Sequence, residues 1–110
     1  MSISINDLIH IVETVLGCER GKGGDHVRYF LKVNGRTIGS LKYSHSWRGN
    51  YQIDDTILAL QARSMQCSPK TWKQLLQGRL TGEAYFKELL ERGVINQAEF
   101  DTLCKRGKRM

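Results

Sequence analysis

Two histidines flank one hairpin-forming stretch of this chain. His26 closes the glycine-rich run Gly21-Lys22-Gly23-Gly24-Asp25-His26, and His45 sits in Ser44-His45-Ser46. Imidazole, with an ordinary pKa of about 6.5, can give and take protons near neutrality. Lysines and arginines crowd the same stretch: Lys22, Arg28, Lys32, Arg36, Lys42 and Arg48. Such a set suits a phosphodiester. In RNA the 2′-hydroxyl is an internal nucleophile, so cleavage needs only a base, an acid and cations for the added charge. His26 and His45 are the candidate acid–base pair, and the six cations are candidate phosphate contacts. The backbone of the Gly24-Asp25 turn can also offer N–H groups to a phosphate oxygen. A plain mobile loop of small residues is the competing reading of that turn.

Other chemistries find less support. The histidines are far apart in sequence, with no HxxxH, no clustered carboxylates and no paired cysteines, so no metal site and no cofactor is expected. There is no GxSxG elbow and no Walker loop. Asp54-Asp55 reads as a helix start, where carboxylates meet the positive end of the helix dipole. His10 falls off its helix's apolar stripe and should be solvated.

The elements that must position these residues follow from periodicity. Ile5, Leu8, Ile9, Val12, Val15 and Leu16 form one face of a helix that ends at Gly17, with Ser4 or Asn6 as its cap. Cys18-Glu19-Arg20 is a candidate short strand. Val27, Tyr29, Leu31 and Val33 alternate with Arg28, Phe30 and Lys32, which is the pattern of a half-buried strand. Asn34-Gly35 is a type I′ hairpin signal, and the strand returns over Arg36 to Tyr43. Gly39 within it weakens the strand or lets another backbone approach. Both histidines then fall at the open end of the hairpin. A helix from about Asp54 to Gln66 follows, with Ile57, Leu58, Leu60, Ala62 and Met65 as its apolar residues. Ser68-Pro69, Thr81 and Asn96-Gln97-Ala98-Glu99 then cap three further helices. The predicted fold class is α+β: a helix, two or three antiparallel strands and a helix, then a helical annex, with one sheet face free.

At 110 residues, 40% hydrophobic and 25% charged, the chain is expected to form a globular core. Its net charge of +6 favours polyanionic partners, nucleic acid first. Three cysteines, Cys18, Cys67 and Cys104, fit a reducing compartment. With no signal-peptide pattern at the start and no long apolar run, a cytoplasmic protein without a membrane span is expected.

The ordered set of features resembles the HicA family of toxins, small messenger-RNA interferases with a fold like the double-stranded-RNA-binding domain. The likeness rests on the helix from Ile5 to Gly17, the Lys22-to-His26 run with one extra glycine, and the Asn34-Gly35-Arg36 turn. It continues through His45 and the helix near Asp54 to Gln66. It spans roughly residues 5–67, which implies a HicA-like domain over 1–67 and a helical extension with a basic tail over 68–110. The resemblance implies a metal-independent endoribonuclease with His26 as catalytic histidine, its turn at Gly24-Asp25, and a HicB-type antitoxin as the inhibitor that covers it. Ser44 stands where the family often has proline. Two other readings stay open. One is a non-catalytic nucleic-acid-binding module of the same fold. The other is a protein-interaction domain with Trp47, Tyr51 and Trp72 as anchors, whose terminal helices dock or oligomerise.

Overall fold

A computed structural model describes residues 3–22, 24, 26–44, 46, 47 and 51–107. The elements run β1 (Ile3–Ser4), α1 (Ile5–His10), a π-helical turn over Ile11–Val15, β2 (Glu19–Arg20), β3 (His26–Val33), β4 (Arg36–Ser44), β5 (Gln52–Ile53), α2 (Asp55–Ser64), α3 (Pro69–Leu76), α4 (Gly82–Glu91) and α5 (Gln97–Gly107). The class is α+β, as expected. β2, β3 and β4 form an antiparallel sheet in that order, between α1 and α2 in the chain. β1 and β5 pair separately, Ile3 with Ile53, and tie the start of the chain to the approach of α2.

Local chemistry starts and stops each element. Ser4 and Asp7 form a reciprocal capping box on α1. The helix then widens: the Leu16 N–H donates to the Ile11 carbonyl at 2.9 Å, a five-residue step. That step buries Ile11 with Val12 and Leu16, while Ile9 and Val15 are only half-buried. A uniform 3.6-residue stripe misses this change of face. Gly17, at φ +67°, ends the helix. Asp54, Ser68 and Thr81 accept from backbone N–H groups at the starts of α2, α3 and α4. Asn96 and Glu99 make the second capping box, on α5.

The hairpin turns at Asn34 and Gly35, both at positive φ, as a type I′ turn requires. Val27, Tyr29, Leu31 and Val33 are buried, and the residues between them face outward. A bulge between Leu31 and Lys32 leaves Ile38 as an extra residue on β4. The shift sets Ser44, and not Tyr43, opposite His26. Gly39 sits against the end of α2: a Cβ there would lie 3.2 Å from Met65 Sδ and 3.4 Å from Met65 Cα. Close backbone approach is therefore the role this glycine serves.

One continuous hydrophobic core runs from Ile3 to Leu103. Trp72, Leu75, Tyr85, Phe86 and Leu89 of α3 and α4 belong to it as fully as the sheet does. Hydrogen bonds also tie α5 to the hairpin. Arg36 donates to both carboxylate oxygens of Glu99, at 3.0 and 2.7 Å, and to the Val94 carbonyl at 2.8 Å. Arg106 donates to the Lys32 carbonyl at 2.8 Å. Among the described residues, no helix is long and apolar enough to cross a membrane.

Candidate functional site

The outward face of the β3–β4 hairpin carries three cross-strand pairs in succession: His26 with Ser44, Arg28 with Lys42, and Phe30 with Ser40. Period two puts all six side chains on one face. Arg28 and Lys42 are exposed, and the other four are half-buried. Two cations directly opposite each other repel, which costs a sheet stability. Neither Arg28 nor Lys42 has a salt-bridge partner among the described residues. Among the described residues the face thus holds a positive pair with no anionic partner, one step along the ladder from an imidazole.

β4 is an edge strand, and α2 crosses beside it. Between them lies a cleft of about 310 Å³, lined by His26, Lys42 and Ser44 at one wall and by Ile57, Leu60 and Gln61 at the other, with Trp47 beside it. A second concavity of about 180 Å³ continues along the same edge past Arg28 and Phe30, and shares Leu41, Lys42 and Ser64 with the first. Trp47 stands in an aromatic row with two tyrosines. Its ring lies 6.5 Å from Tyr43 and 4.9 Å from Tyr51, nearly parallel to both. Tyr29 extends the stack inward and donates to Glu13 at 2.5 Å. Burial and that carboxylate both raise the Tyr29 phenol, so it stays protonated.

The remaining predicted residues divide by what holds them. Lys22 and Gly24 are exposed on the approach to β3, with Gly24 at φ +86°. Lys32 shares the outward face, near the Phe30 ring and 4.0 Å from Glu19. Arg36 is turned to the annex: Glu99 binds its guanidinium bidentately, which holds the Glu99 carboxyl below its ordinary range. That leaves it a poor candidate for phosphate. Asp25, His45 and Arg48 lie outside the described residues. His10 is exposed, as expected.

Thiol chemistry is disfavoured at two of the cysteines. Burial pushes Cys18 up to about 12 against the opposing pull of Arg106, and pushes Cys67 up to about 12 as well. Neither forms a thiolate near neutrality. Among the described residues, no three histidine, cysteine or acidic side chains gather as a metal site would require.

Gln61 is the site residue that sequence reasoning missed. It occupies the buried stripe of α2 with Leu58, Ala62 and Met65, while Leu60 is 57% exposed at the rim. The legible signal was a polar residue three after Leu58 and four before Met65, a core position by spacing.

Comparison with known proteins matches this chain to no family model, no curated protein and no solved structure.

Proposed function

We propose that this protein is a HicA-like, metal-independent ribonuclease that works at the His26 end of the hairpin. The observation that carries the reading is the Arg28–Lys42 couple, which has no salt-bridge partner among the described residues and lies one pair along from His26 on the outward sheet face. Like charges held in register lower stability unless a polyanion lies over them. The three-stranded antiparallel sheet between α1 and α2 in the chain and the net charge of +6 support the same reading.

On this account the phosphate of a bound RNA lies against Arg28 and Lys42. His26 takes the 2′-hydroxyl proton as the 2′-oxygen bonds to phosphorus. The P–O5′ bond breaks, and the leaving 5′-oxygen receives a proton, for which the sequence offers His45. The products are a 2′,3′-cyclic phosphate and a free 5′-hydroxyl. The cations stabilise the doubly charged phosphorane between them. A HicB-type antitoxin seated over His26 would be the inhibitory partner, and the cytoplasm the compartment.

The test is RNA cleavage by purified protein in excess chelator. Wild-type protein should cut, and His26→Ala should lose activity by about two orders of magnitude or more, the usual contribution of a positioned acid–base group. Equal cleavage by both would refute the role of His26. Binding with no turnover in either would leave a nucleic-acid-binding module.

A further inference from the structure

The cleft between β4 and α2 has a property that phosphate contacts do not explain. Its lining is largely apolar, yet it includes one oriented amide. Gln61 is only 4% exposed and lines the cleft. Its Oε1 accepts from Trp72 Nε1 at 3.1 Å. Indole N–H is a donor only, so that contact fixes the amide orientation and leaves Nε2 as the free end. Gln61 Nε2 is buried and has no acceptor among the described residues. An unsatisfied buried amide donor is costly, and a ligand carbonyl or ring nitrogen would relieve it.

We propose that this cleft is a nucleobase pocket: it takes one unpaired base of the bound RNA, and Gln61 Nε2 donates to that base's carbonyl or ring-nitrogen edge. The inference rests on the reading of RNA as the ligand. Three observations select a base. The volume of about 310 Å³ is at the small end of ligand sites and suits a flat ring system better than a peptide helix. The walls offer an indole, Trp47, held by its tyrosine neighbours, and an exposed aliphatic side chain, Leu60, apolar surfaces against which a flat ring packs. His26 and Lys42 stand at the same rim, where the phosphate attached to that base would run. A base inside a duplex is stacked and paired, so the pocket selects unpaired strands.

The probe is a 2′-O-methyl oligoribonucleotide, which cannot be cleaved, compared with an abasic strand of equal length and charge. Affinities are measured by fluorescence anisotropy at fixed salt, with tryptophan emission followed in parallel. The intact strand should bind about tenfold more tightly than the abasic one, as one stacked base provides. It should also quench emission, and Trp47→Phe should abolish that quench while buried Trp72 remains. Leu60→Ser, at an exposed position, should remove most of the tenfold preference without weakening abasic binding. Gln61→Glu, which keeps an acceptor for Trp72 and loses the donor, should do the same. Equal binding of the two strands with unchanged emission would overturn the pocket and leave the RNA reading standing. Binding of neither strand would overturn both. A protein dimer broken by Leu60→Ser, with RNA affinity unaltered, would make the cleft a protein interface and overturn the pocket.

Discussion

Arg28 and Lys42 show how a single pair separates stability from function. They are exposed cross-strand neighbours of like charge. Replacing Lys42 by glutamate turns repulsion into an opposite-charge pair, worth about 0.2–1 kcal/mol in a sheet. Lys42→Glu should therefore raise the urea midpoint slightly while RNA affinity falls more than tenfold. A variant that is destabilised, or that binds RNA as before, would contradict the assigned role. Arg28 was legible as an outward residue from strand alternation, and Lys42 was left open together with Arg36. Arg36 was not separable from them by that rule, because its partner Glu99 arrives from a distant helix. Gln61 escaped for a related reason: its spacing places it on the apolar stripe, but the indole that holds its carbonyl, Trp72, comes from another helix.

At the scale of elements, side-chain hydrogen bonds tie α5 to the hairpin. Glu99 serves two roles, capping α5 with Asn96 and clamping Arg36 beside the turn. The Arg36 guanidinium keeps the Glu99 carboxyl below its ordinary range, and in the unfolded chain it returns to about 4.3. A depressed folded value means the stabilisation is fully present above the unfolded pKa. It is lost as pH falls through the lower, folded one. Wild-type protein should thus be more stable than Glu99→Gln at neutral pH, and the gap between their urea midpoints should close as the solution is acidified below about pH 4.3. A gap that stays constant with pH would show that the ion pair is not its source. The elements themselves were largely readable. Capping residues, positive-φ glycines and the Asn34-Gly35 turn act locally, so the sequence carries them in short windows. The π-turn, the bulge at Ile38 and the two-residue β1–β5 pair were not readable. Each depends on what it packs against, and each is too short to leave a period.

Across the whole molecule, the helical annex and the hairpin share one core, and the groove along β4 is what that packing leaves open. α2 is held against the edge strand through Met65 on Gly39, so His26, the cation pair and the apolar cleft form one continuous edge. Exposed cations beside a recess of this size are what the proposed action on unpaired RNA would need. The proposed role of His26 is to take the proton of the RNA 2′-hydroxyl as that oxygen attacks phosphorus. It is tested most directly by giving the wild-type protein, in chelator, an RNA and the same strand with a single 2′-deoxy substitution at its cleavage site. The RNA should be cut to a 2′,3′-cyclic phosphate, with no cleavage at the substituted position. Cleavage at that position at an equal rate would contradict it.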